Sequence, residues 1–257
     1  MTLIPQDTKS APPTTTAAPG LDAPPPYTPS VDSYSYSSAP EPAQPKVRIP
    51  ESNAVSASTA VHLTGPLSIL GSVSSSSSIV LTDRITVAGK VNSSSSVTLS
   101  DNVTVEGKVS SSSKVTLSNG VRVVDKVEAS GSVLLTGNVY IGGKVSASGS
   151  ITLDGLGAEQ GVVVQGKLDA SGSIELKGNV EVLGDIASSG KVKIFSLEKS
   201  AVKIGGKRDF ILKGGLIING SLCVRGDLEV NGSVSLKKGS RLSVDGKRTI
   251  HGSLKEI

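Results

Sequence analysis

Few residues in this chain could carry out acid–base, nucleophilic or metal chemistry. The 257 residues include two histidines, His62 and His251, and one cysteine, Cys223. A metal centre or a thiol–imidazole pair needs such side chains grouped, and no histidine lies between residues 63 and 250. The expectation is no catalytic residue, no cofactor-binding residue and no metal ligand, and a role other than enzyme. A single cysteine also excludes an intrachain disulfide framework. The reactive groups that do recur are amines and hydroxyls. Lys90, Lys108, Lys126, Lys144 and Lys167 recur at near-constant spacing, with Lys207 and Lys247 further on and Asp185 and Asp227 interrupting the series. Serine runs span Ser74 to Ser78, Ser93 to Ser96 and Ser110 to Ser113. Pro24-Pro25-Pro26-Tyr27 has the PPxY form accepted by WW domains, with Pro24, Pro25 and Tyr27 as the ligand residues.

The element that positions the lysines is a repeat. Gly71, Gly89, Gly107, Asp125 and Gly143 stand 18 residues apart, and Gly166, Gly184, Gly206, Gly226 and Gly246 continue at spacings of 18 to 23. Ten markers imply about ten repeats. Inside each repeat lies a period of six: Val127, Val133, Val139, Val145 and Ile151, each followed two residues later by Ala129, Leu135, Ile141, Ala147 and Leu153. Side chains at i and i+2 point to the same side of a strand. Each six-residue unit therefore predicts a short strand with two side chains inward, then a corner. Glycine and asparagine mark the corners, where positive φ is often needed. Three strands and three corners make a triangular coil. The expected fold is all-β: a single-stranded triangular β-helix of about ten coils over residues 61–257. A period of six fits no 3.6-residue helical stripe.

Residues 1–60 differ in kind. Twelve of the 13 prolines lie in the first 50 residues, and 28 of the 29 glycines lie after residue 60. Such a Pro/Ser/Tyr-rich segment buries too little apolar surface to offset its ordering entropy, so a disordered tail is expected. The tail carries a net charge of −2 and the repeat region +6, an asymmetry too weak for a nucleic-acid binder. No apolar run approaches the ~18 residues of a membrane helix. Met1-Thr2-Leu3-Ile4-Pro5 lacks the start of a secretory signal, which predicts a cytoplasmic protein.

The ends of the repeat region bear on function. A β-helix exposes unpaired strand edges at its two terminal coils, which soluble repeat proteins normally cap. The pattern here begins by Leu67 and Ile69 and continues through Leu242, Val244, Ile250 and Leu254, with no strong cap. Those six residues are the expected end-coil contacts. Open ends of like cross-section stack head to tail, and a contact that does not close gives a filament. The expected partner is a second copy of the chain.

The pattern V-x-G-K-V-x-A-S-G-S-I-x-L-x-G-x-V-x-V, carried by GNVYIGGKVSASGSITLDG and KLDASGSIELKGNVEVLGDIASSGKVKI, resembles the bactofilins, polymer-forming cytoskeletal proteins. The resemblance covers most of residues 61–257. It implies a right-handed β-helix with disordered flanks, nucleotide-independent polymerisation, and a cytoskeletal scaffold sometimes found at a membrane surface. The domain is longer than the family's usual one, and the PPxY sequence is an addition.

Other readings carry less. The lysine row is either a basic edge for anionic lipid or a polyanion, or a solvated row that keeps filaments from sticking sideways. The second is the more economical. The serine runs read as hydroxyl ladders in a turn before they read as phosphorylation sites. Rows at Thr98, Thr116 and Thr152 and at Thr86 and Thr104 suggest an ice-binding face, but Leu134, Glu175 and Arg122 break them. A hexapeptide acyltransferase would need a loop histidine that this sequence lacks. A monomeric β-helix recruiting a WW protein through its tail remains the main alternative. Cys223 is expected to face outward, and Phe195 and Phe210 to fill a distorted coil where the period slips.

Overall fold

The computed structural model describes residues 53–197, 201–205 and 210–257. The apolar pairs of the six-residue period form parallel strands of two to five residues, thirty-two of them among the described residues. They stack into three faces of a triangular β-solenoid of about eleven coils, with no helix among the described residues. The first face runs from Val55–Ala57 to Ile186–Ser188 and resumes from Phe210–Leu212 to Arg248–Ile250. The second runs from Val61–Thr64 to Leu254–Glu256 in eleven strands, and the third from Leu67–Ile69 to Arg241–Val244 in ten.

Register is set by the inward pairs. Val73, Val91, Val109, Val127 and Val145 stack directly upon one another on the first face. On the second face Ile79, Val97, Val115, Val133 and Ile151 do the same. These side chains are all but fully buried. A one-residue slip would turn every aliphatic side chain outward, so the alternation locks the winding. At about 4.8 Å per coil, eleven coils give a rod on the order of 50 Å long.

The structure refines several sequence expectations. The winding begins at Val55–Ala57, one strand ahead of the expected boundary at residue 61. The core is also more polar than a Val, Ile, Leu and Ala filling implies. Ser75, Ser93, Ser111 and Ser188 are buried at inward positions of the first face. The Ser75 hydroxyl donates to the Thr59 carbonyl at 2.6 Å and accepts from the Ser77 N–H at 2.9 Å. Ser93 and Ser111 make the equivalent bonds to Ser77 and Ser95 carbonyls and from Ser95 and Ser113 amides. A buried hydroxyl costs little when both its donor and acceptor are satisfied. In the middle coils Ala129, Ala147 and Ala170 take this place.

Corner glycines are needed for two separate reasons. Between the second and third faces the backbone turns left-handed, at Asp83 and Arg84, Asp101 and Asn102, Asn119 and Gly120. Short polar residues and glycine tolerate that geometry; Arg84 is held there with its guanidinium 2.9 Å from Asp83. At Gly89 and Gly184, between the third and first faces, the reason is steric rather than positive φ. A Cβ at Gly89 would lie 2.6 Å from the Gly71 carbonyl oxygen, and one at Gly184 would lie 2.4 Å from the Gly166 carbonyl carbon. Successive coils approach too closely there for a side chain.

Candidate functional site

The two rims are where the solenoid is chemically unfinished. At the N-terminal rim, Val55–Ala57, Val61–Thr64 and Leu67–Ile69 each pair with a strand on one side only. Their inward side chains are all aliphatic: Val55, Ala57, Val61, Leu63, Leu67 and Ile69. Val55, Ala57 and Leu63 are half-buried, and Leu67 is 41% exposed although it is aligned with buried Ile85 one coil on. Leu70, 54% exposed, adjoins it.

At the C-terminal rim the unpaired edges belong to Arg241–Val244, Arg248–Ile250 and Leu254–Glu256. Leu242, Val244 and Ile250 are half-buried; Leu254 is 48% exposed and Ile257 63%. Further inside, the same positions are sealed, as at Val224, Val230 and Val234. No helix lies among the described residues at either rim.

Of the six expected end-coil residues, five are thus open to solvent in part, and Ile69 is buried. The backbone on either side of Ile69 is bonded by Asn53. Its side-chain amide donates to the Ser68 carbonyl at 2.8 Å, and its carbonyl oxygen accepts from the Leu70 N–H. One carboxamide thereby stands in for a peptide unit of a missing strand beneath Ile69. A second departure lies at the other rim. Arg248 and Glu256 occupy inward register, aligned with Leu228 and Leu236, where preceding coils carry aliphatic residues. The rims therefore differ: six aliphatic positions at one end, four aliphatic and two charged at the other. Strand periodicity alone hides both features, because an asparagine before the first strand and a charge at an i or i+2 position leave the period intact.

The five lysines of the row occupy equivalent corner positions on successive coils. The carbonyls of Lys90, Lys108, Lys126, Lys144 and Lys167 each accept from the first residue of the first-face strand one coil earlier, at 2.8–3.0 Å. The row's charge is only partly compensated, two carboxylates serving the five ammonium groups. Glu128 lies 3.0 Å from the Lys126 ammonium, 3.4 Å from Lys144 and 4.0 Å from Lys108, and Lys167 meets Asp169 at 3.1 Å. Hydrogen bonding from Lys126, reinforced by Lys144 against a smaller opposing effect of burial, holds the Glu128 carboxyl below its usual range. The row therefore stays net positive, with Glu128 and Asp169 tying four of its five lysines to the surface of the first face.

The remaining candidates fall as follows. Pro24, Pro25 and Tyr27 lie outside the described residues. His62 and His251 sit on the first and last coils; His251 is 3.4 Å from Glu229. Cys223 faces outward between buried Leu222 and Val224. Phe210 is buried in the coil where the first face resumes, while Phe195 is half-buried at the end of Val192–Phe195. The threonine rows are interrupted in register, Thr116 by Leu134 and Thr104 by Arg122, whose guanidinium lies 4.2 Å over the Tyr140 ring. A shallow groove of about 550 Å³ beside the 155–161 loop is lined by Leu156, Glu159, Asn179 and Leu197, and its one trace in the repeat is the longer spacing there. Comparisons with protein-family models, with curated proteins and with solved structures find no match to this chain.

Proposed function

We propose that this chain is a structural, self-assembling β-solenoid whose rims stack end to end into filaments, in the manner of the bactofilins that its repeat resembles. The single observation that supports this is the pair of rims: each offers three unpaired parallel edges around half-exposed aliphatic side chains of the same inward period. An unfinished rim is a template for another rim. Heterologous contact of one end with the other does not close, so it propagates. No nucleotide is required, because the contact is backbone pairing and apolar burial. The proposed role is a cytoplasmic scaffold rather than a catalyst, with other copies of the chain as principal partner.

Negative-stain electron microscopy of the purified full chain at physiological salt tests this. Filaments one solenoid wide are expected, and they should survive removal of residues 1–52. Single rods of about 50 Å at high protein concentration would overturn the reading. Such rods would favour a monomeric module acting through Pro24, Pro25 and Tyr27.

A further inference from the structure

The winding does not contain a whole number of coils. It starts on the first face, at Val55–Ala57, and ends on the second, at Leu254–Glu256. The thirty-two strands of the described residues make ten coils of three and two strands over. Each rim is therefore a step and not a flat ring. At the N-terminal rim the step falls between the third and first faces. At the C-terminal rim it falls between the second and third faces, because Arg241–Val244 ends its stack one coil short of its neighbours.

Resting on the end-to-end reading above, we infer that the partner copy seats one face out of phase. Its Val55–Ala57 pairs with Arg241–Val244, its Val61–Thr64 with Arg248–Ile250, and its Leu67–Ile69 with Leu254–Glu256. The winding then continues across the joint as though the chain were unbroken. Six-residue steps permit this. Val55, Val61 and Leu67 are six apart at one rim, and Leu242, Arg248 and Leu254 are six apart at the other. The three sides are interchangeable where the copies meet.

The competing seat places like face on like face. It leaves one strand missing between Arg241–Val244 and the partner's Leu67–Ile69, a slot about 4.8 Å high. Unpaired backbone groups and a void would be sealed into the joint, and each is costly when buried. Asn53 offers a single amide to that slot, too little for a whole edge. Side-chain matching favours the same choice. Out of phase, Leu242 meets Val55, Val244 meets Ala57, Ile250 meets Leu63 and Leu254 meets Leu67. In the like-face seat the directly stacked apolar pairs are Ile250 with Ala57 and Leu254 with Val61, while Leu242 and Val244 face Leu67 and Ile69 only across the empty slot; Arg248 and Glu256 meet aliphatic residues in either seat. The out-of-phase seat does displace Asn53, but the Glu256 backbone offers Ser68 and Leu70 the same donor and acceptor.

Cysteine pairs read the seat directly. Cys223 must first be changed to serine, because it aligns with Ser243 within the chain. Ser56, Ser243 and Thr249 are the outward residues of their strands. Neighbouring strands hold aligned Cα atoms at a separation within the roughly 4.4–6.8 Å that a disulfide spans. Oxidised filaments of Ser56→Cys/Ser243→Cys are expected to give a ladder of reducible multimers on a denaturing gel. Ser56→Cys/Thr249→Cys is expected to cross-link about tenfold less, since its Cα atoms lie on different faces beyond that span. Cross-linking of the second pair, of neither pair, or of Ser56→Cys alone as a dimer overturns the out-of-phase seat while leaving filaments intact. Absence of filaments from the Cys223→Ser parent overturns the end-to-end reading itself.

Discussion

Removing apolar surface from both rims tests whether they hold copies together. Leu67 and Leu254 are the inward leucines left most open, 41% and 48% exposed. Each Leu→Ala change deletes three carbons, worth about 2.4 kcal/mol when fully buried. Only the share still exposed in the free chain is gained on assembly, which gives about 1 kcal/mol for each leucine. If one joint buries both, the Leu67→Ala/Leu254→Ala variant loses about 2 kcal/mol per joint, or roughly a 30-fold rise in the concentration at which filaments appear. Sedimentation of a dilution series, with circular dichroism as a check on folding, measures that concentration. Because both side chains are already half open, the melting midpoint of the free chain should move less than a core truncation would move it. An unchanged assembly threshold in a folded variant would refute the rim contact.

Other outcomes follow from the same geometry. Arg248→Leu/Glu256→Leu should lower the assembly threshold and weaken its salt dependence, because replacing charges sealed in a joint by aliphatic groups is often favourable by about 1–4 kcal/mol; light scattering across a salt series reads this. Gly184→Ala should destabilise the fold by roughly 1–3 kcal/mol in urea unfolding, since its Cβ would sit 2.4 Å from the Gly166 backbone. Gly157→Ala, with open space around it but φ of +71°, should cost less. Glu128, whose folded carboxyl titrates below its unfolded value, contributes stability that is present above the unfolded pKa and is lost as pH falls through the folded one. Glu128→Gln should flatten that acid limb of a pH–stability profile, with a small effect given the exposure of the pair.

The strand-and-corner plan could be read from the sequence because its signal is strictly periodic. Val127 with Ala129 and Val133 with Leu135 declare inward pairs without any partner information. Features that depend on what lies one coil away could not be read. Ser93 is a surface residue by type, and only the Ser77 carbonyl and Ser95 amide beside it make burial affordable. Asp83-Arg84 carries no turn glycine, yet adopts the left-handed corner that Asn119-Gly120 announces. Val55-Ser56-Ala57 is too short and too weakly apolar to stand out from the serine-rich lead-in, and omitting it hides the strand count that sets the step. The rims themselves were legible as an uninterrupted pattern; their asymmetry at Asn53, Arg248 and Glu256 was not.

The hydrogen bonds of all three ladders run along the rod axis, since every strand lies across it. Axial tension therefore loads many short bonds at once, and no covalent backbone takes up the strain until a coil unwinds. Inside one copy each coil is also tied to the next by a continuous chain; at a joint it is not. In a filament joined as proposed, pulling should sever the thread at its joints and release intact copies, so that each broken end is ready to add subunits again.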